Sequence, residues 1–256
     1  MSSSEDKHEY KNDFFEYINA GSSASASVIC PIVVEWLKPT SLLDVGCGAG
    51  AWCQKWSQSG VGEVRGVDGD YVDRDALLMS VEQFSSHDLS QSFELQKRFD
   101  LVTSLEVAEH VDHESSRTFV ENLVRHGDHV MFSAAVPGQG GEFHVNEQPL
   151  EYWRELFASF GYRCFDPLRP RIVDDSRVEP WYRYNTLIYV RDSRVSDLLS
   201  EIHDAEVPLG SAIQERAPLS WRARNAILRN LPSPLVAGLV QIKHSVSRRL
   251  RRPGTH

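Results

Sequence analysis

The stretch Leu42-Leu43-Asp44-Val45-Gly46-Cys47-Gly48-Ala49-Gly50 decides the fold. An apolar run of strand length enters a glycine-rich turn, and residues 51–60 behind it (AWCQKWSQSG) carry apolar side chains at helical spacing. Glycines at a strand-to-helix turn let the backbone approach a ligand closely and aim amide groups at it from a helix N-terminus. The spacing is G-x-G-x-G, not the G-x-G-x-x-G of a dinucleotide site. Asp44, two residues before the first glycine, places a carboxylate beside the ligand. That charge suits an amine-bearing group better than a pyrophosphate.

Further short apolar runs follow on either side: SLLDVGC (41–47), EVRGVDG (63–69), FDLVTSLEV (99–107), HVMFSAAV (129–136) and NTLIYV (185–190). Between them, ESSRTFVENLVRHG and LEYWRELFASFGY have apolar positions at i, i+3 and i+4, and Gly60, Gly127 and Gly161 supply helix stops. An amphipathic stretch from about Asn12 to Lys38 precedes them and ends at Pro39. Continuous apolar strands alternating with helices predict an α/β fold, doubly wound around a mostly parallel sheet. Ligands bind such sheets at the carboxyl ends of the strands. Asp68 ends the second strand, where it can take both hydroxyls of a ribose. Asp88 ends a third strand-like run (SHDL) and can accept from an adenine amino group. Singly, each aspartate also reads as a cap or turn residue.

LLDVGCGAGAW, GVDG, HDL and FDLVTSLEVAEHV, in that order, resemble the class I S-adenosylmethionine-dependent methyltransferases over roughly residues 25–191. The resemblance implies a seven-stranded mixed sheet of order 3-2-1-4-5-7-6 with its last strand antiparallel. It places Asp44, Gly46, Gly48 and Gly50 around the methionine end of S-adenosyl-L-methionine, Asp68 at the ribose, and Asp88 and Leu89 at the adenine. Ser104 and Trp52 are candidates to line the pocket, with simple helix–sheet packing the alternative for Trp52. The Asn/Asp-Pro-Pro-Tyr signature of base amino-methylation is absent, which argues against a base-modifying enzyme.

The fourth strand ends in Glu106-Val107-Ala108-Glu109-His110. If the chain turns helical there, Glu106 shares a face with Glu109 and His110. Two carboxylates and an imidazole in one turn ask for a cation between them. A glycine-rich loop after the fifth strand, PGQGGEFHVNEQ (137–148), brings His144 and Asn146, a candidate substrate-binding residue, to the same end of the sheet. The E-x-x-E-H element resembles ubiquinone-pathway O-methyltransferases and the 2′-O-methyltransferases of small-RNA 3′ ends. That resemblance implies Mg²⁺ on Glu106, Glu109, His110 and His144, holding two adjacent substrate oxygens. Without a metal, His144 becomes the general base; Glu106 is the second catalytic candidate. The segment WYRYN (181–185) offers Tyr182 and Arg183 either for sugar recognition or simply as core residues at a strand entrance. Its pairing with G-x-x-H-V-N-x-Q resembles methyltransferases of polysaccharide and glycoside biosynthesis. The expected reaction is therefore transfer of a methyl group to a sugar or glycoside hydroxyl, with a phenol- or catechol-like acceptor as the alternative.

Composition agrees with a globular enzyme: 256 residues, 41% hydrophobic and 25% charged, formal net charge −9. Nine basic residues and no acid lie from Arg216 onward, which leaves 18 of the 27 basic residues against all 36 acids in residues 1–215, a formal −18. Such a body repels nucleic-acid backbones, so no nucleic-acid partner is expected. Four cysteines without C-x-x-C spacing and a polar N-terminus predict a cytoplasmic protein. The division expected is a methyltransferase domain over 1–191 with its N-terminal helical segment, then a basic helical extension over 192–256. In that extension DSRVSDLLSEIHDAE reads as one surface helix, followed by two basic helices broken at Pro232 and Pro234. Basic amphipathic helices suit the inner membrane surface, a homodimer, or packing on their own acidic body. A non-catalytic binding module acting through this tail is the rival reading. A nicotinamide dehydrogenase is disfavoured by the glycine spacing.

Overall fold

The computed structural model describes residues 5–229, with side chains from residue 21 onward. Eight strands form one sheet: β1 (Ser41–Val45), β2 (Glu63–Asp68), β3 (Phe84–Ser86), β4 (Leu101–Leu105), β5 (His129–Ser133), β6 (Tyr162–Phe165), β7 (Leu187–Arg191) and β8 (Glu206–Val207). Their order is 3-2-1-4-5-7-6-8. Strands β1 to β5 pair in parallel, whereas β7 runs antiparallel to both β5 and β6. This is the expected seven-stranded mixed sheet, extended by one two-residue strand.

Alternation along the central strands feeds two cores. Leu42 belongs to the cluster on one face and Leu43 to the cluster on the other, both fully buried. The first face is covered by α1 (Glu5–Leu37) and α2 (Ala51–Gln58). Ala26, Ile29, Cys30, Val33 and Trp36 make one buried stripe of α1 at helical spacing. The helix stops before Pro39, with Lys38 in the left-handed region (φ 46°). The opposite face packs under α3 (Ser116–His126) and α4 (Leu150–Ala158), which contribute Phe119, Leu123, Trp153 and Phe157.

The remaining helices are short: α5 (Arg169–Ile172), α6 (Pro180–Asn185) and α7 (Ser200–His203), then α8 (Leu219–Arg229). After residue 191 the single surface helix expected over 192–206 does not form. A 3-10 turn (Asp192–Asp197) and α7 stand there instead, burying Val195 and Ile202, and β8 follows. Val207 pairs with Cys164 and the Arg163 guanidinium forks onto Glu206, so this segment is stitched to the sheet. The break at Pro232 and Pro234 and the second basic helix lie outside the described residues. Among the described residues, no helix is long and apolar enough to cross a membrane.

Candidate functional site

The glycine turn sits at the carboxyl end of β1, as the sheet order requires. Gly46, Gly48 and Gly50 all take left-handed φ values (83°, 53° and 85°), and Gly50 leads directly into α2. At Gly46 a side chain is impossible for a second reason: a Cβ there would lie 2.3 Å from Cγ2 of Val107.

Asp44 lies beneath this turn, 3% exposed. Its Oδ1 accepts from Thr103 Oγ1 (2.6 Å) and its Oδ2 from Cys53 Sγ (3.6 Å). Burial pushes its carboxyl up from 3.8 to about 6, against the two hydrogen bonds that favour the ionised form. Asp68 ends β2; its Oδ2 accepts from Gly48 N (2.7 Å) and its Oδ1 from Gly69 N (2.7 Å) and the Tyr71 hydroxyl. Asp88 is exposed, and Ser90 donates to its Oδ1 through both N (2.9 Å) and Oγ (2.7 Å), the local turn geometry anticipated as the alternative for this residue. Leu89 is buried in the core below it. Ser104 is buried in β4, and its Oγ has no hydrogen-bond partner. Trp52 packs edge-on to Tyr182 (5.1 Å between rings) and donates to its hydroxyl (3.4 Å).

On the acceptor side the turn after β4 differs from the expected helix. Glu106 is itself left-handed (φ 58°), and a 3-10 turn starts only at Ala108, spanning Ala108–His110. The positive φ breaks the i, i+3, i+4 register, so Glu106 does not share a helical face with Glu109 and His110. Its backbone N is pinned by Ser133 O (2.9 Å) and its Oε2 accepts from Gln139 Nε2 (2.7 Å). Gln139 is fixed in turn by Asn185 Nδ2 (2.8 Å). Burial raises the Glu106 carboxyl; Glu109 is raised further, by burial and by the Glu106 charge. Glu106 Oε1 and Glu109 Oε2 are both buried without a hydrogen-bond partner.

The acceptor loop folds back on this turn. Val145 N and Asn146 N donate to Glu109 O (2.9 and 3.0 Å), and Asn146 Nδ2 reaches Ser116 Oγ (2.9 Å). Asn146, expected at the substrate, is thus a buried strut between loop and turn. Glu147, which no sequence motif marks, organises the loop. Its carboxylate accepts from Gly138 N (2.7 Å), Gly140 N (2.8 Å) and His144 Nδ1 (2.9 Å). Burial works to raise Glu147, but these hydrogen bonds outweigh it and hold the carboxyl low. With Nδ1 donating, His144 turns Nε2 toward Glu109 Oε1 (4.0 Å), and its ring meets His110 edge-on (5.0 Å). His110 is lowered by burial and then by the neighbouring His144. Glu109, His110 and His144 each offer a ligand atom within 4.8 Å of the others. Three of the four expected metal ligands are therefore together and Glu106 is outside the cluster.

The WYRYN segment forms α6. Tyr182 is 4% exposed, its hydroxyl shared with Ser22 Oγ (3.1 Å), and Arg183 donates to Val173 O (3.2 Å). Neither presents the open aromatic and cationic face that sugar recognition called for. By contrast, Phe143 and Val145, either side of His144, are 84% and 60% exposed. Helix α8 lies against the same loop: Arg224 donates to Gln139 O (2.9 Å), and the backbone of Asn225 covers Gly138.

The strand order, the reversed β7 and a glycine turn over β1 define the Rossmann-like methyltransferase class. A family model described as a methyltransferase domain matches residues 14–166, more than half of the chain, and the chain belongs to that family, which is S-adenosylmethionine-dependent. It is 32% identical over 169 residues to a ubiquinone biosynthesis O-methyltransferase of Alkalilimnicola ehrlichii (59% of this chain, 62% of the relative). It is also 32% identical over 163 residues to the protein of that name from Pseudomonas paraeruginosa (58% and 64%). The chain therefore spans less than two thirds of either relative. Solved structures share the fold: the sugar N-methyltransferase KedS8 of Streptoalloteichus sp. (TM-score 0.55, 18% identity, 71% of this chain, 92% of that one) and DesVI of Streptomyces venezuelae (TM-score 0.54, 15% identity, 72% and 98%).

Proposed function

We propose that this protein is an O-methyltransferase whose acceptor is a hydroxyl on an apolar, phenol- or catechol-like body. The observation that carries the reading is His144, locked by Glu147 so that Nε2 faces Glu109 and His110, with exposed Phe143 and Val145 flanking it. Those two side chains suit a flat apolar acceptor. The sugar acceptor expected from the sequence loses its support, because Tyr182 and Arg183 are engaged inside the fold. The relatives' printed name, ubiquinone biosynthesis O-methyltransferase, supports oxygen as the accepting atom.

Alcohol and phenol hydroxyls hold their protons near neutral pH, so methyl transfer from a sulfonium needs alignment and help in removing that proton. Glu106 suits the proton-accepting role: Gln139 orients its carboxylate, burial raises its affinity for a proton, and Oε1 is free. Glu109, His110 and His144 fit a divalent cation, since a buried carboxylate with one unpartnered oxygen (Oε2) brings its other oxygen within 4.0 Å of an imidazole that is itself backed by Glu147. One carboxylate with two imidazoles suits nitrogen-tolerant ions such as Mn²⁺ at least as well as the Mg²⁺ expected from the sequence. Such an ion would lower the pKa of a coordinated hydroxyl.

The test uses the full chain with S-adenosylmethionine and, as acceptors, a dihydroxybenzoate and a methyl glycoside, following S-adenosylhomocysteine release and a methyl mass gain. The dihydroxybenzoate should be methylated and the glycoside not; the reverse outcome rejects the reading. His144→Ala should abolish turnover with cofactor affinity nearly intact. Chelation with EDTA should also remove activity, and Mn²⁺ or Mg²⁺ should restore it; activity indifferent to chelation removes the ion.

A further inference from the structure

The carboxylate of Asp68 already holds hydroxyl and amide donors. Gly48 N takes Oδ2 (2.7 Å), while Gly69 N (2.7 Å) and the Tyr71 hydroxyl converge on Oδ1. Tyr71 is 77% exposed, so only its hydroxyl end is tied down. Its ring crosses Gly69 so closely that a Cβ there would lie 2.2 Å from Cε1. The phenol keeps its proton and acts as donor, since loss of water around the hydroxyl and the Asp68 charge both push it up.

The same segment is fastened over the glycine turn further along. Leu78 N donates to Ala49 O (2.8 Å), and Gln54 Nε2 donates to Leu78 O (3.2 Å). Met79 lies against both Gly50 and Gly66, so close that an added Cβ would be 3.1 Å and 2.6 Å from it. One stretch of chain, residues 69–79, therefore spans both the glycine turn and the acid at the end of β2.

We propose that Tyr71 is a gate on the cofactor cleft, its phenol hydroxyl standing in for a ribose hydroxyl on Asp68 until the cofactor displaces it. The chemistry matches: each is a neutral O–H donor to the same carboxylate, and both cannot occupy Oδ1 alongside Gly69 N. The exposed ring needs no core rearrangement to swing out. A ligand that must displace an internal competitor binds with its affinity reduced by the fraction of molecules in the open state. A single hydrogen bond to a charged group sustains a closed-to-open ratio of roughly ten. Tyr71→Phe, which keeps the ring and removes the donor, should therefore tighten S-adenosylhomocysteine binding by roughly tenfold.

This rests on Asp68 as the ribose-binding acid, and the experiment separates the two ideas. Calorimetric titration of S-adenosylhomocysteine into the full chain is run on wild type, Tyr71→Phe, Asp68→Asn and the double variant. The gate predicts tighter binding by Tyr71→Phe, weaker binding by Asp68→Asn, and a smaller effect of the tyrosine change once Asp68 is neutralised, because only a neutral acceptor remains for the phenol. If Asp68→Asn weakens binding while Tyr71→Phe leaves it unchanged or weaker, the gate is refuted and the ribose assignment stands. If Asp68→Asn leaves binding unchanged, the ribose assignment itself falls, and the gate with it.

Discussion

Asp44→Asn should stabilise the protein while weakening its hold on the cofactor. The carboxyl is buried below the glycine turn, and burial moves its pKa from 3.8 to about 6. At about 1.4 kcal/mol per pH unit, holding this group ionised in the fold costs about 3 kcal/mol. The sign follows from which state binds the proton. Below about pH 4 the group is protonated whether the chain is folded or not, and there is no penalty. Between about 4 and 6 the native state keeps a proton that the unfolded state releases, so stability falls as pH rises. Above 6 the full penalty persists. Asparagine keeps an oxygen for Thr103 Oγ1 and carries no charge. The stability difference between variant and wild type should grow by roughly 1.4 kcal/mol between pH 5 and pH 8 by the same linkage. Urea denaturation of both proteins at the two pH values measures it, and taking the difference cancels the other titrating groups. The functional cost expected from Asp44 as the acid at the methionine end is weaker binding of S-adenosylhomocysteine, read by calorimetry. A variant no more stable than wild type at pH 8, or an advantage that does not change with pH, would refute the reasoning.

Two further substitutions probe the acceptor loop. Glu147→Gln removes the charge that locks His144 Nδ1 and gathers two glycine amides; turnover should drop by roughly 10- to 100-fold, as for other outer-shell partners, while cofactor affinity holds. An unchanged rate would mean His144 needs no orienting partner. Gly138→Ala introduces a side chain at φ 84° with its Cβ 2.2 Å from Asn225 O, so α8 must lift off the loop. Faster proteolysis near residue 219 together with a fall in kcat would support α8 as a brace for Gln139; loss of neither would remove that role.

The sheet was legible because its central strands are buried on both faces and so are mostly apolar, and because the glycines mark one backbone conformation. Strand β6 was not, since YRCF is short, carries Arg163 and follows its helix stop without an alternating pattern. Counting along the apolar runs locates Asp68 at the end of β2 and Asp44 near the end of β1, whereas Asp88 falls two residues past β3. The E-x-x-E-H turn departs from the expected helix at one residue: nothing local announces that Glu106 is left-handed while its N–H still bonds Ser133 O at the strand end. Tyr182 and Arg183 were over-read for a related reason: whether an aromatic segment faces a ligand or the core depends on α1, whose Ser22 takes the Tyr182 hydroxyl. Glu147, Gln139 and Tyr71 belong to no motif, and only the folded loops show which groups their side chains hold.

The acids of the cleft sort by whether their oxygens are already satisfied. Glu147 is saturated by two glycine amides and an imidazole, and it shapes the loop. Asp44 is partnered by Thr103 and Cys53. Glu106 and Glu109 each retain a buried oxygen with no partner, a state that costs about 1–3 kcal/mol apiece when nothing binds there. Among the described residues, Asp44, Asp68 and Glu147 have donors on both carboxylate oxygens, whereas Glu106 and Glu109 each keep one buried oxygen unpaired. Around Glu109, His110 and Nε2 of His144 a cation would relieve that deficit, while at Glu106, outside the cluster, an acceptor's proton would.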